Sequence, residues 1–472
     1  MPSPEERRRR HRNERMAAAA LVLLLVIITA AVLIYDRRTA GALRQQTTYV
    51  PKQTVITPEV ELLQRYIRFD TSNPPGNELQ AARWLAGLLR EGGVDAEVIE
   101  SAPGRGNVYA RIEGATGGEG LLLLHHIDVV PAAAEEWTFP PFAGEIYLDQ
   151  LYGRGALDMK GTGIAFLRAF LDVAQSGRQP AHDLVYLAVA DEETLGADGM
   201  KWLLAHRPEL FEGIRYALNE GGITEMMEER VTYFGIEIGT KMSVLVKLVA
   251  PTRDQLQRAR IAIAPWGSPR REPERVLPEV RTFFRHLAPQ RIEFQWELSD
   301  IDRTIAEGKF WRLPVGYREV TQNNVFAEGV VEKAPGVFEM RTLLHSLPDE
   351  DPDQRLAWLA EKVRPFGVRL GDVEQKEGPV RSSSDRTPLF ALIRGEAGKA
   401  FGAPAGTEFL HRSTNDSRFL RERGIEVYGI QPFPVDFFQS QSIHRKDERL
   451  RVEYFTRGVE FMRALIRAWA FE

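Results

Sequence analysis

The chain has 472 residues, a formal net charge of -5 and no cysteine. One hydrophobic core does not suffice at that length, so two domains are expected; slight acidity without a basic patch interleaved with aromatics excludes nucleic acid as an expected partner. The missing cysteines rule out disulfides, thiolate metal sites and lipoprotein attachment.

Residues 1–16 form a basic tail, with Arg7 to Arg10, Arg12 and Arg15, ahead of an uncharged run from Ala17 to Tyr35. That run matches the ~20 residues a helix needs to cross a bilayer. The arginines predict a cytoplasmic N-terminus and place everything after Tyr35 outside the cytoplasm, periplasmic or extracellular. A cleaved signal peptide competes with this reading, because Ala40-Gly41-Ala42 resembles a small-residue cleavage site. The length of the apolar run, and Asp36-Arg37-Arg38 between it and that site, favour an uncleaved transmembrane signal anchor at 17–35 followed by a linker at 36–56.

The fold begins at Thr57, where a hydroxyl residue followed by Pro58 predicts a helix start with Val60, Leu63 and Ile67 on its apolar face. Asn73-Pro74-Pro75-Gly76 breaks the chain before a second helix from Glu78 to Arg90. Strands are predicted at 97–100 and 108–112, then at Leu121 to Leu124, Leu184 to Ala190 and Tyr216 to Leu218. The last three are apolar runs bounded by polar or glycine residues, the pattern of buried strands in a parallel sheet. A strand at 242–249, helices at 253–264 and 273–287, strands at 328–331 and 336–342, a helix at 352–363 and a strand at 368–373 read as an inserted unit. The final helix, Val452 to Ala468, has core periodicity. The order is that of an α/β protein with a mixed sheet and an inserted α+β unit: first domain at 57–240 and 378–472, insertion at 241–377.

Chemistry-bearing residues follow the three apolar runs: His126, Glu192 with Glu193, and Glu220. Ligands of open α/β sheets sit at strand carboxyl ends, so these side chains are expected to converge. Singly, each is as well explained as a cap or a solvated end. Together, carboxylates crowded at one edge require a cation, and adding His444 and Asp158 gives an inventory of imidazoles and carboxylates suited to zinc. Asp158, in a glycine-flanked turn, is the candidate bridge between two metals.

These segments, with Thr71 to Glu78, the Trp137 to Phe142 stretch and Ile443 to Glu448, resemble the di-zinc aminoacylase and carboxypeptidase family of metallopeptidases, which includes acetylornithine deacetylase, succinyl-diaminopimelate desuccinylase and carboxypeptidase S. The resemblance runs from Thr57 to the C-terminus and is strongest toward the carboxypeptidase S and N-acyl-amino-acid hydrolase branch. It implies two zinc ions, replaceable by Co2+ or Mn2+, one held by His126 and Glu220, the other by Glu193 and His444, with Asp158 bridging. It further implies that Asp128 accepts from the ring nitrogen of His126 facing away from the metal, that the Asp158–Met159 peptide is cis, and that Glu192 is the general base and then the acid. The expected substrate is a small peptide or N-acyl amino acid with a free carboxylate.

The same resemblance makes the insertion a lid that often carries a homodimer contact. Relatives place a glycine-histidine pair after the first lid strand; here the stretch is Val249 to Arg253, without histidine, and His286 and His345 sit in other contexts. The oligomeric state and the oxyanion donor are therefore left open. Arg341 matches a carboxylate-binding arginine, Asn324 a lid asparagine near the reacting carbonyl, and Arg418 a loop arginine that meets the carboxylate. The alternative to an enzyme is a non-catalytic, metal-stabilised binding protein with an altered lid. Glu192 argues against it, because a residue that binds no metal serves only chemistry.

Overall fold

The computed structural model describes residues 54–227, 229–263, 273–410 and 414–471. The expected anchor at 17–35, the basic tail and nearly all of the linker lie outside these residues. Among the described residues no helix is long and apolar enough to cross a membrane.

The body opens with the helix Pro58–Ile67, which buries Val60, Leu63, Tyr66 and Ile67. Thr57 makes no side-chain capping bond, so proline at the first position and Glu59 and Glu61 in the first turn set this start. The strands then run in chain order: β1 (Ala96–Ala102), β2 (Arg105–Ile112), β3 (Gly120–His126), β4 (Glu145–Tyr147), β5 (Gln150–Tyr152), β6 (Leu184–Val189), β7 (Ile214–Asn219), β8 (Thr224–Met227) and β9 (Arg230–Thr240). Next come β10 (Met242–Ala250), β11 (Asn324–Ala327), β12 (Val331–Ala334), β13 (Val337–Ser346), β14 (Arg369–Lys376), β15 (Ala405–Leu410), β16 (Glu426–Gly429) and β17 (Arg449–Arg451).

A large mixed sheet has the order β1-β2-β6-β3-β7-β16-β9-β15, with β8 on β9. Its centre is parallel: β3 pairs with β6 on one side and β7 on the other. Both faces of β3 are covered. Leu121 and Leu123 pack with the helices Lys160–Ala174 and Val452–Phe471, while Leu122 and Leu124 pack with Met200, Leu203 and Leu420. That double burial is why the strand is uniformly apolar instead of alternating.

At Lys241 the chain leaves β9 and enters β10 of a second, antiparallel sheet of order β11-β13-β10-β14, with β12 on β13. Met242, Val244, Val246 and Leu248 face the helices Arg253–Ile263 and Pro352–Val363. The other face of this sheet turns toward the large one. The predicted strand at 328–331 is replaced by β11 and β12 on either side of it, and β13 continues to Ser346. Beyond the helix Pro278–Leu287, short helices at Gln295–Ser299, Ile301–Ala306 and Val315–Glu319 share a small core with Val280, Phe284 and Leu298. Helices of five or six residues are too short to show a period, so the sequence did not announce them.

Candidate metal centre

The parallel strands deliver the site. His126 ends β3 level with Val189 of β6, and Glu220 directly follows β7. After β6 the backbone turns sharply, with Asp191 and Leu195 both at positive φ around a single turn containing Glu192 to Thr194. Asp128 holds this turn: Oδ1 accepts from the Glu192 N–H at 3.1 Å and Oδ2 from the Glu193 N–H at 3.0 Å. Asn73 Nδ2 donates to Asp128 at 2.9 Å and to Asp191 at 3.0 Å. Arg105 ties Asp191 at 2.7 Å to Glu78 at 3.1 Å. The expected role of Asp128 is thereby corrected. His126 Nδ1 meets the backbone carbonyl of Asp128 at 2.9 Å, whereas the carboxylate stands 3.7 Å away because its oxygens are engaged by the 192–193 turn.

Asp158 arrives on the loop between β5 and the helix Lys160–Ala174, and its peptide bond to Met159 is cis, as the resemblance implied. The loop is held from four residues beyond His444. The fully buried Glu448 accepts from the N–H groups of Leu157 (2.8 Å), Asp158 (3.2 Å) and Gly155 (3.1 Å), and from Arg154 Nη1 (2.6 Å). Behind the site His125 points the other way, its Nε2 3.2 Å from Tyr66 Oη. A Cβ at Gly163 would overlap its ring, so glycine there lets the helix lie against β3. His125 is a core residue; burial holds its pKa down at about 3.

Two ligand groups share Asp158. One is His126, Asp158 and Glu220; the other is Asp158, Glu193 and His444. Asp158 presents Oδ1 to His126 Nε2 at 3.0 Å and Oδ2 to His444 Nε2 at 2.9 Å. Glu220 lies 3.7 Å from His126, and Glu193 3.3 Å from His444. In each group imidazole and carboxylate donors face one point, the donor set of a zinc or similar cation, and one carboxylate spans both. Burial opposes charge on His126, yet Asp158 and Glu220 outweigh it and hold its pKa well above the imidazole range. Burial, then Asp158, raises Glu220 to about 7. Glu192 belongs to neither group; burial and the neighbouring Glu220 push its carboxyl far upward. Asp416, overlooked in the sequence, is raised in the same way, chiefly by burial.

The groups open into a cavity of about 880 Å³, whose lining includes Glu192 on one side and Ser243, Leu343, His345 and Gln375 of the second sheet on the other. Arg418 lines it too, but its guanidinium is already paired with Glu377. Arg341 does not line it. That arginine is half exposed on β13 and bound to Glu374 at 2.7 Å and Glu328 at 3.1 Å. Asn324 is fully buried on β11 and also absent from the lining; with its amide oxygen toward Lys241 Nζ it accepts at 3.0 Å. Of the two histidines of the insertion, His286 and His345, it is His345 that lines the cavity. Alternation along β13 puts residues 341, 343 and 345 on one face, and only the last two lie over the site.

A mixed sheet with a shared-aspartate pair of ligand groups at its parallel strand ends defines a metallopeptidase or related amidohydrolase. Residues 122–468 match the model of the family described as Peptidase family M20/M25/M40, and the chain belongs to that family. It is 27% identical over 429 residues to aminoacylase-1 of Sus scrofa, an alignment covering 88% of this chain and 95% of that one. The M20 family metallo-carboxypeptidase Sso-CP2 from Sulfolobus solfataricus has the same fold with a TM-score of 0.68 at 18% identity, covering 88% of this chain and 99% of that one. Human carnosine dipeptidase 1 follows with a TM-score of 0.66 at 14% identity, covering 86% and 95%.

Proposed function

We propose that the chain is a two-zinc amidohydrolase that cleaves an amide of a small peptide or N-acyl amino acid, held at a membrane by residues 17–35 with its body outside the cytoplasm. The observation that carries the chemistry is Asp158, set between His126 and His444 with a different carboxylate beside each. His126, Glu220 and Asp158 would hold one ion, and Asp158, Glu193 and His444 the other. When bound, the ions supply an activated water and a polarised scissile carbonyl.

The protein's own contribution to the chemistry is proton handling. Glu192 takes the proton of the attacking water and delivers it to the departing amine, which leaves poorly unless protonated. Its buried setting, which favours the neutral carboxylic acid, suits the second half of that task. Asp128 keeps Glu192 and Glu193 in register by holding both of their backbone N–H groups.

The test is zinc content with hydrolysis of a mixed panel of dipeptides and N-acyl amino acids, using the full chain and a Glu192→Gln control. About two zincs in both proteins, with turnover falling ~10²–10⁴-fold in the control, is the expected result. Absence of zinc, or undiminished turnover in the control, overturns the proposal. Extraction with alkaline carbonate checks the anchor separately: release of the chain into the soluble fraction would sink it.

A further inference from the structure

The segment at residues 71–73 is fastened to the chain just beyond β3. Ser72 and Val129 form a parallel bridge, the Asn73 N–H donates to the Val129 carbonyl at 2.8 Å, and Thr71 Oγ1 donates to the Ile127 carbonyl at 2.8 Å. Asn73, only 3% exposed, is thereby set against Asp128. Its amide nitrogen has three acceptors: Asp128 Oδ2 at 2.9 Å, Asp191 Oδ1 at 3.0 Å and Thr194 Oγ1 at 2.8 Å. Its amide oxygen accepts from Arg105 Nη1 at 3.2 Å, which fixes the end of the amide that faces the carboxylates. The same guanidinium reaches Asp191 at 2.7 Å and the Pro75 carbonyl at 3.0 Å, in a space that a Cβ at Gly76 would fill.

Two buried carboxylates can share one nitrogen only when donors and a cation offset their repulsion, and Asn73 and Arg105 supply both. The bonds of Asn73 converge on the turn that carries Glu192 and Glu193. Asp191 and Thr194 flank the two glutamates, and Asp128 accepts from both of their N–H groups. The second ligand group is positioned by other means. Glu220 directly follows β7, and His126 Nδ1 meets the main-chain carbonyl of Asp128, an atom the Asn73 side chain does not contact.

We infer that Asn73 and Arg105 are positioning residues that place Glu192 and Glu193 together. The proton-handling carboxylate and the group of Asp158, Glu193 and His444 then share one clamp, on which His126 and Glu220 of the other group do not depend. The part that concerns Glu192 rests on the amidohydrolase reading above, and the part that concerns Glu193 rests only on metal binding.

The test titrates the metal-free full chain with zinc against a chromophoric chelator, comparing the natural chain with Asn73→Leu, which keeps the bulk and removes the donors. One of the two zincs should weaken ~10- to 100-fold, as when groups supporting a ligand are removed, while the other stays within ~3-fold. In a His444→Ala background, which disables the group containing Glu193, Asn73→Leu should leave the remaining zinc unchanged. A merely loosened fold would weaken both ions. With both zincs loaded, kcat on the best substrate of the panel should fall ~10²-fold at a KM within ~3-fold, the cost of a displaced general base. Thr194→Val removes a single hydroxyl from the turn and should give the same pattern at ~3- to 10-fold, so a fold lost in Asn73→Leu does not hide the effect. Equal weakening of both zincs, unchanged affinity for both, or an undiminished kcat at full loading overturns the inference. If no panel member is turned over, the zinc titration decides alone. Selective weakening then supports the clamp even as the amidohydrolase reading falls, and equal weakening refutes it.

Discussion

Replacing Glu448 with glutamine tests the claim that the Asp158 loop is held from the far end of the chain. The carboxylate is fully buried, with two acceptor bonds on each oxygen: Leu157 and Asp158 N–H on one, Gly155 N–H and Arg154 on the other. Burial raises its pKa, and the Arg154 charge works against that rise. Glutamine keeps the shape but turns one of the two oxygens into a donor, so whichever way the amide lies, N–H faces N–H at two contacts. Arg154 also loses its counter-charge in a buried setting. Breaking a buried pair of this kind costs about 3–5 kcal/mol, and two stranded donors alone cost at least ~2 kcal/mol. Because the same loop carries Asp158, the affinity for zinc should fall ~10- to 100-fold, as when groups supporting a ligand are removed. Denaturant titration and competition with a chromophoric zinc chelator measure the two effects. A loss below ~1 kcal/mol with unchanged zinc affinity would show that the bonds to Glu448 hold nothing the loop does not hold by itself.

Arg341→Ala should leave kcat/KM within ~3-fold and stability within ~1 kcal/mol, because its guanidinium is engaged in exposed ion pairs outside the cavity; a loss beyond ~30-fold in steady-state kinetics would return it to the substrate site. Lys241 is buried against the carbonyls of Glu319 and Gln322, and burial lowers its pKa from 10.5 to about 7. Between those two values the unfolded chain holds a proton that the folded one has released, so folding is favoured progressively as pH rises from about 7 toward 10.5. Unfolding free energies measured across that window should show a Lys241→Met variant lacking up to ~1.4 kcal/mol per pH unit of the natural chain's rise. Parallel profiles would mean that Lys241 stays charged in the fold.

Four of the five candidate metal ligands were legible because each lies at a feature that local sequence determines, whereas His444 was carried by the family resemblance. A run such as Leu121 to Leu124 is uniformly apolar only if both faces of the strand are buried, and the end of that strand, at His126, is then where ligands collect. Asp158 was marked by the glycines of its turn, and the spacing of the segments carried the family resemblance. What the sequence could not assign were contacts between residues remote along the chain. Asp128 lies beside His126, yet its oxygens are taken by Glu192 and Glu193, more than sixty positions away. Arg341 and His345 share one face of β13 by simple alternation; which of them overlies the site depends on how far the second sheet slides across the first. Glu377 claims Arg418 only because the end of β14 meets the start of the helix Ser417–Glu422. Periodicity and turn chemistry are properties of neighbouring residues and survive in the unfolded chain, whereas charge pairing and cavity lining are created when sheets stack, so the ligands belonged to the sequence and their partners to the tertiary structure.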